Sequence, residues 1–233
     1  SSSLTIDLDL RNSSGNDRSD WKVKAEAFDE NGVNVLGSGS ETGISLRAWS
    51  DGTARIETSA ENIKLWSAEH PDLYALVLTL TDNRGNVQEI ISAQLGFRTI
   101  GFTPAAVDSS YRVTTKSWEP ITINGKRLLL KGVNRHDTDP FNGKAVPHET
   151  LREDIRQMKL NNVNAVRTSH YSNDSYLYWL CNKYGMYVMG ETNMESHALM
   201  SNNDGKALFY ELAMDRTETA FKRLKNNPSI VAW

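Results

Sequence analysis

The chain has 233 residues, of which 39% are hydrophobic and 24% are charged, and its formal net charge is −3. This length is enough for one large or two ordinary domains, each able to bury a core. The scattered lysines and arginines argue against a nucleic-acid surface, and no apolar run approaches the roughly 20 residues needed to cross a bilayer. We therefore expect an ordinary water-soluble protein whose partners include neither nucleic acid nor a membrane.

Residues 1–101 have the pattern of an all-β domain. Apolar and polar residues alternate over 4–10, 21–27 and 54–58, which is the period of strands with one solvated face. Segments 74–80 and 87–97 flank a turn-rich stretch and are predicted to form a hairpin. Six or seven short strands without a helix predict an antiparallel sandwich of the immunoglobulin type.

Residues 102–233 have a different periodicity. Four short apolar runs predict strands, at 128–133, 163–166, 185–190 and 229–233. Helical patterns separate them, at 147–161, at 175–184 and from 204 or 205 to 226–228. Alternating strands and helices are typical of a parallel sheet with covered faces. A TIM (β/α)8 barrel closes only with about eight strands, so we expect the N-terminal half of such a barrel, truncated at the fourth strand.

Several residues have predicted places in these helices. The buried side of the first helix is expected to consist of Leu151, Ile155, Met158 and Leu160, and that of the third of Leu208, Leu212, Phe221 and Leu224. Residues 172–174 can cap the second helix, and Gly185 is placed to end it. The single cysteine, Cys181, lies among apolar residues of this helix, which predicts a buried structural thiol. Trp179 is expected to belong to the same core.

Polar residues follow three of the predicted strands. His136 and His170 each come shortly after an arginine, Arg135 and Arg167, and all four side chains could donate to an anion or to sugar hydroxyls. Ligands of parallel α/β folds bind at these strand ends. A lone histidine is more often structural, and Arg167 could simply be the buried ion-pair partner of Glu191. Three such strand ends meeting at one mouth favour a functional site.

Glu195 and His197 are two residues apart after the third strand. On an extended segment they project from the same face, which suits joint metal coordination or a carboxylate that orients an imidazole. A surface loop with two polar residues is the other interpretation. An imidazole ligand by itself favours zinc or another transition metal.

These motifs closely resemble family 2 glycoside hydrolases, and within that family the large β-galactosidases. The resemblance rests on Asn124-Gly125-Lys126, on residues 131–136 ending in Asn134-Arg135-His136, on 161–171 ending in Ser169-His170-Tyr171, and on 184–197 ending in Glu195-Ser196-His197. It covers residues 97–233 well. Residues 4–101 fit more loosely, as the immunoglobulin-like domain that precedes the barrel.

The resemblance implies retaining hydrolysis of terminal β-D-galactosides by two carboxylates. His136 and His170 would line the galactose pocket, and Arg167 would position the nucleophile. Glu195 and His197 match two protein ligands of an active-site Mg²⁺ ion. The acid/base and nucleophile glutamates of the family lie beyond the matching residues, so the catalytic pair is expected to be missing. We expect the chain by itself to be inactive and to bind Mg²⁺ weakly or not at all.

A different class of function stays open, a non-catalytic carbohydrate-binding or assembly module. In either case, half a barrel leaves strand edges uncovered, so we expect a homo-oligomer formed through them. The first residues carry no signal-like segment. This observation says nothing about export, so the compartment stays open, with the cytoplasm as the first expectation and the periplasm as the alternative.

Overall fold

The structure is a computed structural model that describes residues 2–102, 109–110, 120–195 and 206–233. The chain divides into two compact units. Unit 1 contains Ser1–Lys64 and Leu73–Leu95, and unit 2 contains Leu65–Asp72 and Gly96–Trp233. Segment 65–72, which the sequence places in the first domain, is therefore grouped with the second unit. No helix of the described residues is long and apolar enough to span a membrane.

Unit 1 consists of two antiparallel sheets, as predicted. Its strands are β1 (Ser2–Asn12), β2 (Arg18–Phe28), β3 (Glu41–Leu46), β4 (Ser50–Ala60), β5 (Tyr74–Thr81) and β6 (Val87–Leu95). One sheet pairs β1 with β4, and the other has the order β3-β2-β5-β6. Alternate residues of β2, namely Val23, Ala25 and Ala27, are buried, and Ile56 of β4 is buried as well. The period-two pattern in the sequence thus corresponds to one buried and one solvated face.

Unit 2 contains a parallel sheet with helical crossovers. A small sheet of β7 (Ile100–Gly101), β8 (Thr122–Ile123) and β9 (Lys126–Arg127) comes first. The main elements follow: β10 (Gly132–Arg135), α1 (His148–Leu160), β11 (Ala165–Thr168), α2 (Ser175–Tyr184), β12 (Tyr187–Gly190), α3 (Lys206–Leu224) and β13 (Ile230–Ala232). The strands β10 to β13 lie side by side in chain order, and every neighbouring pair is parallel.

The first parallel strand begins later than the apolar run at 128–133 predicts. The backbone of Leu128 donates to Ile121 across the preceding hairpin. The Asn164 side chain donates to the Leu129 carbonyl and accepts from the Lys131 amide. These residues therefore satisfy their backbone groups outside the sheet, and regular pairing starts only at Gly132.

The core of unit 2 lies between the sheet and its helices. Leu151 and Ile155 are buried there with Val166, Leu177 and Val188. Leu160 is 62% exposed, so its predicted burial is wrong. It lies nine residues after Leu151, which at about 100° per residue places it on the opposite side of the helix.

The third helix also differs from its predicted pattern. Among the side chains of this helix that the structure describes, the buried ones are Ala213, Ala220 and Leu224. Leu212 and Phe221 are 45% and 47% exposed, and the side chain of Leu208 lies outside the described part of the chain. Only Leu224 of the predicted set is therefore confirmed. Two of the buried residues are alanines, and a pattern of large apolar residues does not reveal a face made of such short side chains.

Both ends of α2 agree with the prediction. The Asp174 carboxylate accepts from the Tyr176 amide at 2.7 Å, and Gly185 ends the helix at φ +73°. Cys181 is fully buried, and burial raises the pKa of its thiol to about 12. The predicted structural cysteine is therefore confirmed. Trp179, by contrast, is 38% exposed and stacks on Tyr176 at the surface.

Segment 65–72 packs at the end of the sheet where the strands begin. Trp66 is fully buried, and its indole Nε1 donates to the Asn182 carbonyl at 2.9 Å. Its ring meets Tyr187 edge to face with centroids 5.9 Å apart. The Tyr187 hydroxyl in turn donates to Glu69 at 2.7 Å. Burial, together with this carboxylate, raises the pKa of Tyr187 to about 12.

A buried ionic network holds the first loop of the barrel region to the helices. Arg135, at the end of β10, has a side chain only 8% exposed. Its guanidinium donates to Asp137, to the Asn173 side chain at 2.9 Å and to Asp154 at 3.0 Å. Asp137 also accepts from the Asp174 amide at 2.8 Å. The network therefore joins β10, α1 and the start of α2.

Replacing the centre of this network should destabilise the fold. We expect Arg135→Met to lower the free energy of unfolding by about 3–5 kcal/mol, because it leaves buried Asp137 without its cation. Urea denaturation followed by circular dichroism measures the effect. The control is Arg156→Met on α1, whose salt bridge to Glu153 is more than half exposed and should contribute within about 0.5 kcal/mol. Equal effects of the two substitutions would contradict a structural role for the network.

Candidate active site

The parallel register determines which side chains meet at the carboxyl ends of the strands. Asn134 lies opposite Arg167 in the pairing of β10 with β11, and Arg167 lies opposite Met189 of β12. Side chains alternate between the two faces of a strand. Asn134 and Arg167 therefore share one face, and the Arg167 Nη1 donates to Asn134 Oδ1 at 3.3 Å. The residues just past these strands gather at the same edge.

Arg167, His170 and Glu191 form the centre of this group. The Arg167 Nε donates to Glu191 Oε1, and Glu191 Oε2 lies 2.9 Å from His170 Nδ1. The Arg167 Nη2 is 3.3 Å from the same imidazole nitrogen. The side chains of Arg167, His170 and Glu191 are 36%, 32% and 24% exposed. The proposed pairing of Arg167 with Glu191 is therefore present, and it lies in a partly open site.

His136 and Tyr171 extend the group. The His136 ring meets His170 edge to face with centroids 5.7 Å apart, and it lies 6.3 Å from the ring of Tyr171. The Lys144 ammonium donates to the Tyr171 hydroxyl at 2.6 Å and lies 4.5 Å from the ring centre. The loops after β10 and β11 are thus joined beside the two histidines.

Glu195 lies next to this cluster. Its Oε1 is 4.0 Å from His170 Nε2, and its side chain is 58% exposed. His197, the second predicted metal ligand, lies outside the described residues. Within the described ranges, no three His, Cys, Asp or Glu side chains form a group that could hold a metal ion. Of the predicted pair, only Glu195 is described, as an accessible oxygen donor, so metal binding by the pair stays a prediction.

The structure brings together three of the predicted residues and separates a fourth. His136, Arg167 and His170 share the mouth, as expected. Arg135 does not join them, because its donors are used by the buried network and its side chain is 8% exposed. Sequence reasoning missed Tyr171 and Lys144. Tyr171 follows His170 directly and could have been included, whereas nothing in the loop before α1 distinguishes Lys144 from other lysines.

Comparison with known families gives the same division of the chain. Residues 113–233 match the family described as "Glycosyl hydrolases family 2, TIM barrel domain". Residues 1–98 match "Glycosyl hydrolases family 2".

Curated relatives are considerably longer than this chain. A protein named "Beta-galactosidase" from Priestia megaterium is 37% identical over 240 residues, covering 99% of this chain and 22% of its own length. Another of the same name from Lactococcus lactis is 40% identical over 179 residues, covering 76% of this chain and 16% of its own length. The chain thus spans about a fifth of the relatives it matches.

Solved structures show the same fold. A β-glucuronidase from Bacteroides uniformis has a TM-score of 0.78 at 22% identity, over 99% of this chain and 25% of that one. A β-galacturonidase from Eisenbergiella tayi bound to galacturonate has a TM-score of 0.74 at 26% identity, over 97% of this chain and 36% of that one. The predicted immunoglobulin-like domain and partial TIM barrel are confirmed. The chain belongs to glycosyl hydrolase family 2.

Proposed function

We propose that this chain forms the sugar-recognising part of a retaining β-galactosidase, a hydrolase of terminal β-D-galactosides. The observation that carries the proposal is the convergence of His136, His170 and Arg167 at one open strand-end mouth. A galactosyl group presents several hydroxyls, and each both donates and accepts hydrogen bonds. Imidazole and guanidinium groups at this spacing supply matching partners. The names of the curated relatives support the choice of galactosides.

The charge balance of the site favours a neutral sugar over a uronic acid. A uronic acid carries a carboxylate, which is usually bound by a cation with free donors. In the described part of the site, Arg167 already faces Glu191, and Arg135 faces Asp137 and Asp154. Neither guanidinium is available to neutralise a second carboxylate at low cost. The Lys144 ammonium beside Tyr171 keeps further donors, so we base the assignment of a neutral galactoside on the two guanidinium groups together with the names of the curated relatives.

Binding measurements test this assignment. We expect isothermal titration to show saturable galactose binding. His170→Ala should weaken this binding at least about tenfold, because it removes one charge-assisted or good neutral hydrogen bond. Galacturonate should bind more weakly than galactose. His70→Ala is the matched control, since His70 is an exposed histidine far along the chain from the site. Tighter binding of galacturonate, or equal losses in the two variants, would overturn the proposal.

Catalysis needs a pair of carboxylates that the described cluster does not supply. Retaining glycosidases use two carboxyl groups about 5 Å apart, one as the acid/base and one as the nucleophile. Both oxygens of Glu191 are already engaged, by Arg167 and His170. Glu195 is the remaining carboxylate beside His170. We infer that His136 and His170 bind hydroxyls, that Arg167 positions neighbouring groups, and that neither glutamate is the nucleophile.

This inference predicts that the 233-residue chain, assayed alone, binds galactose without hydrolysing galactosides. A chromogenic galactoside should be released no faster than by a mock preparation from cells that lack the gene. Glu191→Gln should leave this background unchanged. Turnover above the mock preparation that disappears in Glu191→Gln would show that Glu191 is catalytic after all.

We also propose that Glu195 and His197 would hold a Mg²⁺ ion. Glu195 fits such a role, because it is an accessible hard oxygen donor. When bound, the ion would supply a fixed positive charge beside the sugar-binding group. Mg²⁺ usually keeps several waters and relies on carboxylates. A single described carboxylate therefore implies weak binding by this chain.

The inner face of the parallel sheet supports the proposal that the chain self-associates. This face lines a cavity of about 410 Å³, and its apolar residue Met189 is 38% exposed. Among the described strands, β10 pairs only with β11 and β13 only with β12. Two copies related by a two-fold axis along the strands would bring together eight parallel strands. The edges and the apolar face would then be covered together.

Light scattering tests the association. We expect the mass to rise with concentration above the 26.1 kDa of the monomer. Met189→Glu should raise the dissociation constant at least about tenfold, because it buries a charge on the inner face. Ile90→Glu is the control, since Ile90 is 62% exposed on β6 of unit 1. A monomer at all concentrations would contradict association through the sheet.

A further inference from the structure

Glu191 is held by hydrogen bonds through both its backbone and its side chain. Its backbone amide donates to Thr168 Oγ1 at 3.1 Å, and its carbonyl accepts from Ser172 Oγ at 3.2 Å. The backbone is therefore tied to β11 and to the loop that follows it. One carboxylate oxygen accepts from the Arg167 Nε, and the other faces His170 Nδ1 at 2.9 Å. The carboxylate has little freedom to turn away from the imidazole.

The contact between Glu191 and His170 determines where the imidazole carries its proton. An ionised carboxylate has no proton to donate, so an oxygen and a nitrogen 2.9 Å apart require a hydrogen on Nδ1. The Arg167 Nη2 favours the opposite state, because it can only donate. It lies 3.3 Å from Nδ1, beyond the usual range for a good N–H hydrogen bond. The closer contact, to a charged acceptor, prevails.

We propose that Glu191 is a positioning residue that fixes His170 as the tautomer protonated on Nδ1, which leaves Nε2 as a hydrogen-bond acceptor at the mouth. Within the described cluster Nε2 faces Glu195 Oε1 at 4.0 Å, and this carboxylate oxygen is an acceptor and does not compete as a donor. The imidazole side chain is 32% exposed, so a ligand can reach Nε2.

This arrangement gives the site a defined hydrogen-bond polarity. Arg167 can only donate, whereas His170 Nε2 would only accept. A sugar hydroxyl does both, so it can accept from one group and donate to the other. An ether oxygen or a carboxylate cannot donate, and it would leave Nε2 without a proton donor. The identity of the ligand rests on the proposed galactoside function, but the tautomer does not.

The tautomer can be measured directly in the 233-residue chain. At about pH 8, where an ordinary histidine is neutral, long-range ¹H–¹⁵N correlation spectra show which ring nitrogen carries the proton. His170→Ala identifies the His170 signals among the five histidines. We expect the proton on Nδ1 in the wild type. A proton on Nε2 would overturn the proposal, whether or not the chain binds galactose.

Glu191→Gln then tests whether Glu191 is the cause. The Arg167 Nε should take the amide oxygen, so the amide NH₂ group would face Nδ1 and move the proton to Nε2. We expect this change together with a loss of at least about tenfold in galactose affinity. Glu218→Gln, at an exposed salt bridge of α3, should change neither the position of the imidazole proton nor the galactose affinity. If Glu191→Gln retains the Nδ1 proton, the proposal is wrong.

The two proposals fail in different ways. An Nδ1 proton that shifts in Glu191→Gln, without galactose binding by any variant, would support the role of Glu191 and overturn the galactoside assignment. The opposite result would be galactose binding that is lost in His170→Ala, with the proton on Nε2 in every variant that has His170. It would support the galactoside assignment and overturn the role of Glu191. If Glu191→Gln does not fold, Glu191→Asp supplies the second variant. The shorter carboxylate should hold the proton on Nδ1 in only part of the molecules. A spectrum unchanged from that of the wild type would count against the proposal.

Discussion

The parallel alignment of β10, β11 and β12 is the constraint on which the site depends. Hydrogen bonding in this register places Asn134, Arg167 and Met189 on one row across the sheet. The three strands therefore end at the same level, and this alignment by itself brings together the first polar residues beyond them. Gly132 permits the close approach at the start, because a Cβ there would lie 3.1 Å from that of Ala165. A slip of one residue would turn Arg167 towards the helices.

Arg135 and Arg167 have different environments because side chains alternate between the two faces of a strand. Arg135 is the last residue of β10 and Arg167 is the penultimate residue of β11, and a histidine follows each within three residues. The two arginines nevertheless lie in different rows of the sheet. Arg135 is paired with Thr168, and Arg167 with Asn134. Arg135 points to the helices, where Asp154 and Asp137 neutralise it in a buried network. Arg167 points to the mouth. Burial thus separates two arginines that both follow short apolar runs and lie near the carboxyl ends of their strands.

Much of this could be predicted from the sequence, and the exceptions have physical causes. The strand and helix order, the capping of α2 and the grouping of His136 with His170 follow from periodicity and turn chemistry. The start of β10 could not be predicted, because Asn164 binds the backbone of Leu129 and Lys131 from a distant part of the chain. The burial of Arg135 depended on Asp154 and Asn173, which are near it only in the folded state. A local sequence pattern does not show which distant residues become hydrogen-bond or ion-pair partners in the folded state.

Segment 65–72 has a consequence for how such a protein could arise. It lies between β4 and β5 of unit 1 in the chain, but Trp66 is completed by Asn182 and Tyr187 of unit 2. The polypeptide therefore passes from one unit to the other three times. Recombination at a single point cannot transfer either unit whole. A break after unit 1 would separate the Trp66 indole from Asn182 and Tyr187, and it would leave a cavity the size of a tryptophan side chain in unit 2. An exchange that keeps Trp66 with Asn182 and Tyr187 therefore has to carry segment 65–72 together with unit 2.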